Sequence, residues 1–267
     1  MGVELVTSAA ELWRASLDAW ALPASILQSA PESPWIHPPV LFDVPEVIQD
    51  SPSHQRAREV LDVAGSVLDV GCGGGIAAFA LTPPADRVIG VDHQSDMLSM
   101  FRTNAVRRGV AVETIEGFWP EVERRTPVAD VVTAHHVVYN VGDIVPFLQA
   151  LNDHARRRVV LELPNRHPLA TLSPAWRHFW DLERPDGPTP DDLLSVLDEM
   201  GVVAHRESWH GALRTEQNLE QAAHFTRIRL CLPASREEEV RDFLVAQPPA
   251  VTRELTTVWW DTISSTV

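Results

Sequence analysis

The stretch Ser66–Gly75, SVLDVGCGGG, constrains the fold more than any other part of the chain. It opens with an apolar run, Val67-Leu68-Asp69-Val70, of the length of a buried strand. Gly71, Gly73, Gly74 and Gly75 follow at once, and Ile76-Ala77-Ala78-Phe79 resumes an apolar pattern. Strand, glycine turn, helix is the order in which an open α/β sheet builds a ligand crevice. Glycine lets the chain turn tightly and lets a ligand approach bare backbone. The first turn of the following helix presents N–H groups that have no partner within the helix.

The rest of the chain supplies the elements such a sheet needs. Residues 7–21 read as a helix capped by Thr7 or Ser8 and ended by Pro23. Residues 24–52 are rich in proline and aromatic groups, so no long regular element is expected before about Val44. A helix is expected over Ser53–Ala64, with a Ser cap. After the glycine turn come a short helix from Ile76, a strand Arg87–Asp92, a helix Asp96–Arg108 closed by Gly109, and strands Val110–Glu116 and Val128–Ala134. A helix over Asp143–Ala155 places Arg156-Arg157-Arg158 at its C-terminal end, where cations complement the helix dipole, before a strand Val159–Leu163. Past Pro164 the composition changes, with prolines and Trp176 and Trp180 crowded into residues 164–190. Helices near 175–182 and up to Met200, over 216–230 and from Ser235, and strands Val202–Trp209 and Arg253–Ile263, complete the chain. The fold class is α/β, doubly wound. Residues 1–52 are expected to form a helical and aromatic extension, which either covers the site as a lid or packs onto the core, and residues 53–267 the main domain, with insertions at about 164–190 and 210–250.

Two cofactor classes use a glycine turn of this kind, and spacing separates them. The NAD fingerprint is G-x-G-x-x-G/A. Counted from Gly71, its third small position falls on Ile76; counted from Gly73, the turn starts too late after the strand. The chain reads instead Asp69-x-Gly71-x-Gly73-x-Gly75, and Asp92 ends the next strand 21 residues after Gly71, where a carboxylate binds ribose hydroxyls.

That pattern resembles the first motif of class I S-adenosylmethionine (SAM)-dependent methyltransferases, over roughly Ser53 to Leu163 plus the terminal strands. The resemblance implies a mostly parallel seven-stranded sheet whose last strand is antiparallel and inserted between the fifth and sixth. It implies that Asp69, Gly71, Gly73 and Gly75 line the methionine part of SAM, that Asp92 holds the ribose, and that His93 and Met97 flank the adenine. Where the family often has Gly-Asp, this chain has Gly117-Phe118-Trp119, so Phe118 or Trp119 stacks on the base or packs in the core. The loop after the fourth strand would face the transferred methyl, which makes His135 and His136 candidates for a general base or for packing beside SAM. Tyr139 and Asn140 are candidates to position the acceptor. Glu162, Asn165 and His167 near the fifth strand, and Trp35 and His37 in the lid, are candidates to line its pocket. No Asn/Asp-Pro-Pro-Tyr pattern of nucleic-acid and glutamine methyltransferases is present.

The expected reaction is methyl transfer to an O or N nucleophile of a small molecule. The competing readings are a SAM-binding sensor or scaffold without transferase activity, methylation of a protein or RNA acceptor, and a nicotinamide oxidoreductase. A formal net charge of −15 argues against bulk binding to nucleic acid or to an anionic membrane. All 22 basic residues are arginine, which excludes a catalytic lysine. The two cysteines, Cys72 inside the glycine turn and Cys231, point to a reducing cytoplasm. No apolar run reaches the length of a membrane span, no metal-ligand spacing is present, and the oligomeric state is left open.

Overall fold

The structure, a computed structural model, describes residues 7–36, 42, 44–213, 218–247 and 252–262. The first helix, α1 (Ala9–Asp18), starts at a capping box in which Ser8 and Glu11 satisfy each other's backbone N–H groups. A short helix α2 (Ala24–Ser29) follows Pro23. Helix α3 (Pro52–Arg58) differs from expectation: Ser51 is its cap and Pro52 occupies its first turn. It also ends early, because the chain turns so that Leu61 enters the core while Val63 is left exposed.

The sheet comprises β1 (Gly65–Val70), β2 (Ala85–Asp92), β3 (Ala111–Glu116), β4 (Ala129–His135), β5 (Ala155–Pro164), β6 (His205–Ala212) and β7 (Thr252–Asp261), in the order β3-β2-β1-β4-β5-β7-β6. The pairings β1–β2, β1–β4, β2–β3 and β4–β5 are parallel; β7 runs antiparallel to both β5 and β6. This is the sheet that the methyl-donor motif implies.

Helices α4 (Ile76–Phe79) and α5 (Ser95–Arg108) pack with α3 on one face, where Val67, Val88, Val131 and Val160 meet Ala57, Leu98 and Phe101. On the other face α1, α6 (Ile144–His154) and α8 (Pro190–Glu199) cover Leu68, Val132, Leu161 and Trp260. The burial of such side chains, each contributing about 1.5–3 kcal/mol, is what holds the layers together.

The arginine run is placed differently from the sequence expectation. Helix α6 stops at His154, and Arg156–Arg158 lie in β5. Each meets carboxylates: Arg156 faces Asp130, Arg157 pairs with Asp62, and Arg158 reaches Glu59 at 2.8 Å and Asp261 at 2.7 Å. The run therefore tethers β5 to its neighbours. Strand β6 begins three residues later than expected, leaving Val203 exposed in the connection.

A third apolar cluster lies apart from the sheet. It joins Ile26 of α2 to Ala175 and Trp176 of α7 (Ser173–Trp180), to Leu230, Cys231 and Leu232 after α9 (Leu219–Arg229), and to Val240 of α10 (Glu237–Ala246). Residues of α2, α7, α9 and α10 thus share a core apart from the sheet. Among the described residues, no helix is long and apolar enough to cross a membrane.

Candidate active site

The glycine turn adopts backbone that side chains rarely take. Gly71, Gly73 and Gly75 have φ of 68°, 49° and 98°. The N–H groups of Gly71 and Cys72 both donate to the Val91 carbonyl, at 2.8 and 3.0 Å, and pin the turn to β2. A Cβ at Gly74 would lie 2.0 Å from the Phe42 carbonyl, so the segment before α3 is laid directly on the turn.

Asp92 ends β2 with 8% of its surface exposed. Its Oδ2 accepts the Gly73 N–H at 3.0 Å and its Oδ1 the Gln94 N–H at 2.9 Å. A carboxylate offers about four acceptor sites, so each oxygen keeps one for a ligand hydroxyl. The turn and this half-filled carboxylate fit the ribose end of SAM. The Gly117 N–H donates to the Asp92 carbonyl at 3.0 Å and brings Phe118 alongside. Phe118 is 60% exposed and stacks on His93 with ring centroids 4.7 Å apart. No base fits between rings so close, and what they offer a purine is an outer face. Met97 is half-buried in α5. Trp119 turns the other way, donating its Nε1–H to the Phe147 carbonyl at 3.3 Å.

Asp69 lies beneath the turn. It accepts the Thr133 hydroxyl at 3.0 Å and the Ala78 N–H at 3.2 Å, joining β1 to β4 and to α4. Burial raises its carboxyl to about 7 against those two hydrogen bonds. A raised carboxyl pKa stabilises the fold below the unfolded value near 4, and that contribution is lost as pH rises through about 7. Asp69→Asn is therefore expected to gain thermal stability relative to the parent between pH 4 and 7, with a constant difference above. Melting temperatures of the two proteins across that range check this, and parallel pH profiles would contradict it.

Strand register places a row of polar side chains across the same face of the sheet. Asp69 pairs with Thr133, His135 with Glu162, and Glu162 with Thr257. Over this row lies Ser53 of α3, 2.6 Å from the Thr257 hydroxyl. The Trp209 Nε1–H donates to Thr257 at 3.1 Å, and the Ser53 hydroxyl acts on Glu162, lowering its carboxyl. Indole and two hydroxyls therefore line one side of Glu162.

His136 approaches Glu162 from the loop. Its backbone is left-handed, φ 61°, unusual for a residue with a Cβ. Its N–H donates to the Glu162 carbonyl at 2.7 Å, and its Nε2 lies 3.0 Å from Glu162 Oε1. Burial pushes the Glu162 carboxyl up, but His135, His136 and the Ser53 hydroxyl pull it down further, so it is held below the usual carboxylate range. Nε2 stands between opposite demands. Ionised Glu162 Oε1 can only accept and Arg253 Nη2, 3.1 Å away, can only donate. A proton on Nε2 serves the carboxylate and leaves the Nδ1 lone pair free, while a proton on Nδ1 serves the guanidinium. That Nδ1 is buried and has no hydrogen-bond partner. His135 differs: burial lowers its pKa to about 4, its Nδ1 is 3.9 Å from Glu162, and its ring stacks on His54 at 5.8 Å. At neutral pH it is an uncharged packing neighbour.

Tyr139 lies edge-on to His167, 5.6 Å between centroids, and His167 stacks on Trp20 at 4.1 Å. Asn140 is exposed. Asn165 is engaged by β7, accepting the Thr256 hydroxyl at 2.6 Å and donating its N–H to the Glu254 carbonyl at 3.1 Å. Trp35 is 60% exposed. His37 lies outside the described residues. The reading from sequence passed over Ser53, His54, Trp209, Arg253 and Thr257. Arg253 is the most consequential of them, because its Nη2 lies 3.1 Å from His136 Nε2.

A glycine turn, a strand-end carboxylate and this strand order together define a class I SAM-dependent methyltransferase fold. Residues 67–158 match the family model described as a methyltransferase domain. Over 95 residues the chain is 38% identical to the ribosomal protein L11 methyltransferase of Vibrio campbellii (strain ATCC BAA-1116), covering 35% of this chain and 32% of that one. Over 109 residues it is 32% identical to the ubiquinone biosynthesis O-methyltransferase of Aeromonas salmonicida (strain A449), covering 40% of this chain and 46% of that one. The chain thus spans about a third to a half of the length of these curated relatives. A solved structure of a candidate methyltransferase from Bacillus halodurans C-125 superposes with a TM-score of 0.54 at 17% identity, covering 79% of this chain and 96% of that one.

Proposed function

We propose that the chain is a SAM-dependent methyltransferase acting on an O or N nucleophile of a small molecule. The observation that carries this reading is the joining of two half-sites. A Cβ at Gly71 would lie 2.6 Å from Val137 Cγ2, so the loop bearing His136 touches the cofactor turn itself.

SAM supplies, when bound, a methyl group already activated on a sulfonium. Asp92 and the side-chain-free backbone of the turn hold it, and the outer face of the Phe118–His93 pair meets the base. The Nδ1 of His136 takes the acceptor's proton, and Glu162 holds the imidazole tautomer and stabilises the charge that develops on it. Tyr139 shapes the acceptor pocket with His167. The shared core of the N-terminal extension and the insertions serves as a lid that keeps water out.

The 38% identity to a ribosomal protein methyltransferase favours a second reading, a protein acceptor, but spans only 95 residues. Calorimetric titration with SAM and with its demethylated product, followed by transfer from methyl-labelled SAM into a fractionated cell extract, separates the readings. Label in the small-molecule fraction is expected. Label confined to protein or RNA would replace the acceptor class, and tight binding with no transfer would make the chain a sensor.

A further inference from the structure

We infer that the acceptor is a flat carboxylic acid and that Arg253 is the residue that recognises its carboxylate. The inference rests on the methyltransferase reading for the word acceptor, and on Arg253 itself for the acid. Buried arginines elsewhere in this chain are each matched by two carboxylates. Arg158 has Glu59 and Asp261, and Arg227 has Glu32 at 2.8 Å and Glu237 at 2.9 Å. Arg184, whose Nε is likewise buried without a partner, has its Nη atoms on the carbonyls of Trp20 and Ala21 and its plane over the Trp20 and Trp176 rings.

Arg253 has neither arrangement. No carboxylate of the described residues lies within ion-pair distance of it, and its Nε is buried with no hydrogen-bond partner. The nearby carboxylate, Glu162, acts on Arg253 through its charge but makes no ion pair with it. A guanidinium cannot shed its proton to escape burial, so one without a direct counter-ion is retained at a cost. The missing anion is best supplied from outside. Arg253 meets the His136 ring at Nε2, 3.1 Å away, and its charge acts on the Tyr139 phenol. Behind Tyr139 stand His167 and Trp20. A planar fork next to an aromatic wall suits a planar carboxylate on a flat body. A dianionic phosphate suits it less, because Glu162 already places a negative charge in the same cluster.

The test measures binding of benzoate, 4-hydroxybenzoate, benzamide and phenyl phosphate by calorimetry, with and without the demethylated product of SAM present. The acids are expected to bind at least tenfold tighter than the amide. Arg253→Leu is expected to erase that preference and Arg253→Lys to keep part of it, while affinity for the demethylated product and the melting temperature stay near those of the parent. Equal binding of acid and amide, absence of binding by either acid, or an acid preference that survives Arg253→Leu would overturn the inference. Tighter binding of phenyl phosphate than of benzoate would overturn the choice of carboxylate. Failure of the demethylated product to bind would count against the methyltransferase reading alone, since the acid preference is also measured without it.

Discussion

Asp92→Asn is expected to weaken SAM binding by about 100-fold while the protein remains folded. Asp92 is the one side chain that ties the glycine turn to the end of β2, through the Gly73 N–H at 3.0 Å and the Gln94 N–H at 2.9 Å. The same two oxygens each keep an acceptor site for a ribose hydroxyl. Hydrogen bonds to a charged group contribute about 1.5–3 kcal/mol each. The amide keeps one oxygen but turns its NH2 toward groups that donate, so roughly 3 kcal/mol of ligand binding is lost, which is about two decades in affinity. One backbone N–H also loses its acceptor, and the melting temperature should fall by a few degrees. Titration of parent and variant with SAM at the same pH decides the matter. An affinity within threefold of the parent would remove Asp92 from the site.

The difference between what sequence discloses and what it hides follows from distance along the chain. The donor half of the site is local. Gly71, Gly73 and Gly75 are near neighbours, and Asp92 is one strand away, so a motif resemblance within one stretch of chain is enough to propose them. Its finer contacts are already less legible: Phe118 and Trp119 are adjacent, yet one is exposed beside His93 and the other is bonded to α6. The acceptor half is assembled by strand order. Because β7 inserts between β5 and β6, Thr257 meets Glu162 and Trp209 meets Thr257, and α3 adds Ser53 from the far end of the chain. No periodicity within a single segment encodes those meetings. The arginine run shows the same limit. Its composition suits a helix end, and only the carboxylates Asp62, Asp130 and Asp261, brought up from other elements, make it part of a strand.

The same assembly separates two histidines that look equivalent in sequence. His135 is paired in register with Glu162 but stacked on His54, and burial keeps it neutral. His136 leaves the strand in a left-handed conformation, turns its Nε2 to Glu162 and leaves its Nδ1 without a partner. Both keep a buried ring nitrogen without a hydrogen-bond partner, Nε2 of His135 and Nδ1 of His136, and they differ in the contact with Glu162, 3.9 Å for the first and 3.0 Å for the second. A His135→Ala substitution would open a void under α3, whereas the chemistry depends on what holds the His136 proton.

Glu162→Gln tests that dependence. The amide is isosteric with the carboxylate, so the Trp209–Thr257–Ser53 contacts beside it are kept. The amide NH2 then faces His136 Nε2, which must become an acceptor, and the ring proton moves to Nδ1. The base is blocked although every side chain remains. General bases contribute about 10²–10⁴ in rate, so turnover at neutral pH is expected to fall by about 100-fold or more with SAM affinity unchanged. The tautomer can be read directly from the nitrogen chemical shifts of His136, with no acceptor needed. The variant also loses a carboxylate whose pKa is depressed in the fold. Such a group adds stability above the unfolded value near 4.5 and loses it as pH falls toward the folded value. The parent is therefore expected to lose more stability than Glu162→Gln as pH is lowered below about 4.5. Unshifted His136 nitrogens in the variant would separate Glu162 from the chemistry and leave it a structural anchor between β4, β5 and α3.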